Sequence, residues 1–267
     1  MYLPHGYLSC GESHDTVVRL TLDLLHMLRH SPASQIQTLL LYGPRGSGKT
    51  ALAAHLAMVG KFSFVKFLSA SSVVGRSSLH KMEAIHAAFS GAFSSSSSSS
   101  STDLSLVVLD DLHRLVEFMK VGTQITVSHE LLHTITTLLT SPIPTGLRVL
   151  VVGTLTVEEG VALEDPQFLG LPNLFLHHHL VPLLDCDATL SFLNASNIHK
   201  FGSGQFSLPS NLLVSVRQLH QAIQCACVHG SCSSDHREPS VVRQDHLLDC
   251  IMASVTRCGL TDQDTPH

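Results

Sequence analysis

At 267 residues, with 44% hydrophobic and 14% charged side chains, the chain is long enough to bury one large core with a smaller attachment and too apolar to be disordered. A net charge of −5 makes the average field repulsive to a phosphate backbone, which argues against a sequence-independent grip on nucleic acid. Seven cysteines without a regular framework, and with no signal-peptide pattern ahead of them, suit a cytoplasmic, reducing compartment, and no apolar run reaches the ~18 residues of a membrane span.

Taken in order, Met1 to Glu12 is punctuated by Pro4, Gly6 and Gly11 and predicts an extended leading segment. Ser13 or Asp15 is placed to cap a helix whose apolar face runs from Val17 to Leu28 and which Pro32 ends. Leu39 to Tyr42 predicts a strand, Gly43 to Gly48 a glycine-rich loop, and Lys49 to Met58 a helix. Gly43-Pro44-Arg45-Gly46-Ser47-Gly48-Lys49-Thr50 is the phosphate-binding pattern G-x-x-x-x-G-K-[ST], or Walker A, in the strand-to-helix context it requires. Its glycines let successive backbone N–H groups turn inward around a polyphosphate, and the start of the following helix adds to the attraction. Lys49 is assigned to the β- and γ-phosphates and the Thr50 hydroxyl to Mg²⁺. A bare glycine turn would serve a strand-helix junction too, but a chance match to the full pattern is on the order of one in a hundred.

Phe62 to Leu68 predicts a second strand, Ser69 to Ser78 a polar loop, and Leu79 to Phe89 a helix. Ser94 to Ser101 is an unbroken serine tract, expected as a flexible insertion because it has no apolar area to bury. Leu104 to Leu109 is apolar but for Ser105, as in a parallel strand covered on both faces, and stops at Asp110-Asp111. A helix over Val127 to Leu139 and a strand over Leu147 to Val152, ending at Gly153-Thr154, follow; Leu174 to Val181 is the last strand. Alternating strands and helices predict an α/β fold with a five-stranded parallel sheet. Beyond Leu184 only helices are predicted, at Asp187–Ala195, Asn211–Cys227 and Val241–Val255. The expected division is 1–184 as the nucleotide-binding domain and 185–267 as a small helical lid.

A hydrophobic strand that ends in a carboxylate is how such folds place an acid near Mg²⁺, so Asp110 is assigned to the metal together with Thr50. A competent hydrolase of this type has glutamate next, whereas Asp111 is one methylene shorter. A displacement of about 1 Å can cost about 10²-fold in rate, which makes Asp111 a poor base. Cys225, Cys227, Cys232 and His236 could ligate zinc, but their spacing departs from the common C-x₂-C knuckle. His177, His178 and His179 alternate across a strand and so cannot all reach one ion.

GPRGSGKTALAAHLA, FSFVKF, VVGRSS, LVVLDDLHRL and LRVLVVGT occur in the order and spacing of an AAA+ ATPase module. With Gly6-Tyr7-Leu8-Ser9-Cys10-Gly11-Glu12 ahead of them, they resemble more narrowly the second AAA domain of vesicle-fusing ATPases, the N-ethylmaleimide-sensitive fusion factors. The resemblance implies ATP held by Tyr7, Leu8 and Gly11 along the adenine and by Gly43, Pro44, Arg45, Gly46, Ser47, Gly48, Lys49, Thr50, Ala51 and Leu52. It also implies a homo-hexamer in which this domain glues the ring, and SNAP adaptor and SNARE complexes as partners, with no nucleic acid and no membrane insertion. Four departures from an active module imply weak hydrolysis: Asp111, Leu155 after Thr154, no arginine from Asp165 to Leu180, and no aromatic in Val73-Val74-Gly75. The predicted lid helix has no basic residue at its start, Arg217 being the nearest. The alternatives are an independently active AAA+ remodelling ATPase, with an arginine finger in Arg237 to Arg243, and a DNA initiator or clamp-loader subunit, which the acidic balance disfavours. A start directly on the leading segment is expected of a natural fragment or of a gene reading that lacks amino-terminal domains.

Overall fold

A computed structural model describes residues 7–30, 35–94, 104–122, 124–143, 147–158, 160–165, 168–196, 208–210, 212–230 and 244–259. Met1 to Gly6, Pro32, the serine tract beyond Ser94, Asn211, Cys232, His236 and Arg237 to Arg243 lie outside them. In chain order the elements are α1 (Glu12–His30), β1 (Gln35–Gly43), α2 (Lys49–Val59), β2 (Phe64–Ser69), α3 (Ser78–Ser94), β3 (Leu104–Asp110) and α4 (Leu112–Leu115). Then come β4 (Met119–Val121), β5 (Gln124–Thr126), α5 (His129–Thr140), β6 (Arg148–Thr156), β7 (His177–Leu180), α6 (Cys186–Ala195), α7 (Val216–Gly230) and α8 (Gln244–Gly259).

The sheet is five-stranded and parallel, in the order β2-β3-β6-β1-β7. Alternate residues of each strand face opposite ways. Leu40, Val107, Leu109, Val149 and Val151 pack with Ile85, Phe89, Leu131 and Ile135 of α3 and α5. Their neighbours Leu39, Leu41, Leu106, Val108, Leu150 and Val152 pack with Leu24, Leu25, Leu28 and Leu52 of α1 and α2. Every residue of β3 is buried, Ser105 and Asp110 included. The fold is therefore the α/β P-loop arrangement expected, with helices on both faces of a parallel sheet.

Several boundaries differ from expectation. α1 starts at Glu12, so Ser13 and Asp15 lie inside it rather than capping it; the Asp15 N–H already bonds the Gly11 carbonyl at 3.0 Å. β6 continues through Gly153 and Thr154 to Thr156, because its register against β1 runs unbroken from Gln35↔Arg148 to Gly43↔Thr156. The short antiparallel pair β4 and β5 was not predicted.

The described residues group into two compact units. One holds Tyr7, Val17–Pro44 and Lys49–Val181; the other holds Leu8–Thr16, Arg45–Gly48 and the chain from Pro182 onward. The second has its own core, with Leu184, Phe192, Val214, Leu219, Ile223, Leu247 and Ile251 buried together with Cys10. Asp185 caps α6 by accepting from the Ala188 N–H at 2.8 Å. α7 begins at Val216 rather than Asn211 because Ser215-Val216-Arg217-Gln218 is a capping box: the Gln218 N–H bonds Ser215 Oγ at 3.2 Å and the Ser215 N–H bonds Gln218 Oε1 at 2.9 Å. No helix among the described residues is long and apolar enough to cross a membrane.

Phe192 is 1% exposed and meets His220 edge-on at 5.2 Å between ring centroids. Phe192→Ala should cost about 3–5 kcal/mol in the second unit, measured by urea unfolding and localised by hydrogen exchange.

Candidate functional site

The loop after β1 takes its shape from glycine where nothing larger fits. Gly43 has φ +147°, and a Cβ there would lie 2.3 Å from the Val181 carbonyl oxygen. Gly46 has φ +82°, and a Cβ there would lie 3.0 Å from Ser215 Oγ and 3.2 Å from Arg217 Cβ. The Arg217 N–H donates to the Gly46 carbonyl at 3.2 Å. Because α7 starts later than predicted, Arg217 falls in its first turn, which corrects the expectation that no basic residue stands at that helix start. Ser47 is wholly buried and Arg45 exposed.

Lys49 opens α2 and is 6% exposed, with Nζ donating to the carbonyls of Gly43 at 2.9 Å and Pro44 at 2.6 Å. Burial pushes its pKa from 10.5 down to about 8, opposed by the carboxylates of Asp111 and Asp110. Ala51 is half-buried and Leu52 buried in the helix behind it.

Thr50 and Asp110 are brought together: Thr50 Oγ1 donates to Asp110 Oδ1 at 2.7 Å. Asp110 is 4% exposed and also accepts from Thr154 Oγ1 at 2.9 Å and Ser69 Oγ at 3.3 Å. In the sequence Ser69 reads as an ordinary loop serine. Thr154 was noticed only for the leucine that follows it, yet its hydroxyl bridges both aspartates, accepting the Asp111 N–H at 2.8 Å. Leu155 is buried inside β6.

Asp111 stands in the left-handed region, φ 58° and ψ 56°, where strand turns to helix. Aspartate tolerates this conformation better than most residues, and such outliers cluster at functional sites. Its carbonyl accepts the N–H groups of Arg114 and Leu115, each at 2.9 Å, which starts α4. His113 follows on α4; burial lowers its pKa, against the attraction of Asp111 and with the repulsion of Arg114 and Lys49.

In the leading segment, the Tyr7 ring stacks on His55 of α2 at 4.0 Å with 18° between planes. The Leu8 carbonyl accepts from Cys10 Sγ, and Gly11 immediately precedes α1. His177 Nε2 lies 3.2 Å from Gln37 Oε1, and His178 Nε2 donates to the Pro172 carbonyl at 3.0 Å. Cys225 is exposed on α7. Among the described residues no three of His, Cys, Asp and Glu are grouped to hold a metal ion.

Thr154→Val keeps the shape but takes the acceptor from the Asp111 N–H and one of two donors from Asp110 Oδ1, where Thr50 Oγ1 still donates. It should cost about 1–3 kcal/mol in urea unfolding. Lys49 holds its proton less tightly in the folded chain than in the unfolded one. From pH about 8 to 10.5 the unfolded chain therefore binds more protons, and stability rises with pH in that window relative to Lys49→Met. Urea unfolding at pH 7 and 9 of wild type and Lys49→Met measures it.

Residues 39–159 match the family "ATPase family associated with various cellular activities (AAA)". The chain is 28% identical to the vesicle-fusing ATPase of Arabidopsis thaliana over 92% of its own length and 32% of that protein's. It is 28% identical to the vesicle-fusing ATPase of Caenorhabditis elegans, over 90% of this chain and 28% of that one. It is 29% identical to the vesicular-fusion protein SEC18 of Candida albicans, over 56% and 18%. The chain thus spans about a third or less of the length of these relatives. The loop, the acid at the end of β3 and these likenesses point the same way: residues 39–159 are similar to the AAA ATPase family, and the chain is similar to part of the vesicle-fusing ATPases.

Proposed function

We propose that the chain is the ATP-holding AAA module of a cytoplasmic vesicle-fusing ATPase. It binds ATP with Mg²⁺ mainly to stabilise a homo-hexameric ring that disassembles SNARE complexes through a SNAP adaptor, and it hydrolyses ATP weakly. The observation that carries this is the 2.7 Å contact of Thr50 with Asp110 next to the buried Lys49. Mg²⁺ takes hard oxygen donors, usually one or two from protein and the rest from phosphate and water. Thr50 and Asp110 supply such donors, so the residues fit the ion; when bound it neutralises charge on the β- and γ-phosphates.

The chain's own residues would do the rest. Lys49 offers a charge to the phosphates, the loop from Gly43 to Gly48 offers backbone N–H groups, Ala51 and Leu52 close the turn, and Tyr7, Leu8 and Gly11 flank the base. Residues 1–184 then form the nucleotide-binding domain and 185–267 its lid. Asp111, short by a methylene and with its N–H tied to Thr154, supports slow turnover. The arginine-free stretch Asp165–Leu180 supports it further, since an arginine finger is worth about 10³ to 10⁵ in rate.

One observation favours an independently active AAA+ ATPase instead. Arg217 in the first turn of α7 is a cation tied by its backbone to the loop at Gly46, where the sequence had suggested none.

At a hundredfold excess over Kd, ATP should stabilise the fold by about 2.7 kcal/mol. Lys49→Ala should lose that shift in thermal unfolding and lose hexamers in sedimentation. Turnover should stay near background in both wild type and Asp111→Asn. Intact hexamers from Lys49→Ala count against the ring role. Turnover of the order of 10 s⁻¹ that Asp111→Asn abolishes selects the active ATPase.

A further inference from the structure

His14, in the first turn of α1, is 3% exposed, and its Nε2 lies 3.1 Å from the carbonyl oxygen of Ser47 in the phosphate loop. A carbonyl oxygen only accepts, so Nε2 carries the proton. Burial lowers the pKa of the ring, opposed by the Ser47 carbonyl and the Asp15 carboxylate, so the imidazole is neutral at pH 7 and Nδ1 is a bare acceptor. Nδ1 is buried and has no hydrogen-bond partner among the described residues. The side chain gives up the hydrogen bond of one nitrogen while the other holds the loop.

Ser47 is flanked by Gly46 and Gly48, with φ of +82° and +102°. Glycine on both sides resists rotation of the intervening peptide planes only weakly. Ser47 is wholly buried, so bulk water does not reach its carbonyl as a substitute partner. The imidazole is thus one fixed hold on the orientation of this peptide. Because a trans peptide is planar, its N–H points opposite to its C=O. With the Ser47 carbonyl turned to His14, the Gly48 N–H faces away from α1.

We propose that His14 is a positioning residue of the phosphate loop: by holding the Ser47 carbonyl it turns the Gly48 N–H toward the bound polyphosphate. This rests on Gly43 to Thr50 being the nucleotide site. A histidine serves here because its ring reaches from the helix with a rigid donor, where a serine would fall short and a lysine would bring a charge into a buried place.

Glutamine and methionine have similar length, and only glutamine donates, so His14→Gln and His14→Met form the test pair. The full chain is titrated with a fluorescent ATP analogue in Mg²⁺ and with inorganic tripolyphosphate as competitor, and circular dichroism follows the fold. His14→Met should bind both ligands about five- to tenfold more weakly than wild type, and His14→Gln within about twofold. Equal affinities in the two variants overturn the proposal. So does a loss for the nucleotide with none for tripolyphosphate, which would assign Nδ1 to the base. Unfolding of His14→Met, with or without that of His14→Gln, makes the histidine a support of the fold alone and also overturns it. Wild-type protein that binds neither ligand is a different failure: it removes the nucleotide site itself, and this role with it.

Discussion

The Asp110 carboxylate, closed off from water and met by three hydroxyls, is the contact on which the site depends. A carboxylate taken out of water is costly unless its oxygens are hydrogen-bonded. The three donors come from separate parts of the chain: Ser69 ends β2, Thr50 lies in the first turn of α2, and Thr154 sits in β6. Satisfying one acid therefore fixes the ends of three neighbouring strands and the start of the helix that follows the loop. The same carboxylate would also attract a divalent cation.

Thr154 carries a second load. Its oxygen accepts the Asp111 N–H, and Asp111 adopts a left-handed conformation just where β3 gives way to α4. A backbone conformation of this kind costs of the order of 1–3 kcal/mol and persists only where surrounding bonds hold it. The hydroxyl on one strand and the two N–H groups of α4 that converge on the Asp111 carbonyl provide that hold. The aspartate pair is thus built as a rigid unit, with one member paired through its side chain and the other through its backbone.

Much of this was legible in the sequence, for identifiable reasons. β3 and β6 carry the apolar runs Leu106–Leu109 and Val149–Val152 because both faces of the sheet are covered there, and the G-x-x-x-x-G-K-T pattern is specific. Less legible were features in which one polar residue acts through a distant partner. Thr154 reads as a strand residue until Asp110 is placed beside it, and His14 is one of nineteen histidines. The start of α7 was misplaced although S-x-x-Q stands in the chain, because the apolar run Leu212 to Val214 extends the helical pattern backwards. β4 and β5 have three residues each, mostly exposed, and offer no periodicity to detect.

The close approach of Gly43 to the Val181 carbonyl has a consequence for how the protein is made. Val181 follows the last strand, and its N–H bonds the Tyr42 carbonyl at 2.8 Å. The first arm of the glycine-rich loop thus has its wall supplied by chain that leaves the ribosome long after the loop itself. Until Val181 arrives, Gly43 is unconfined on that side, and the glycines that suit the finished loop leave it many other shapes to visit.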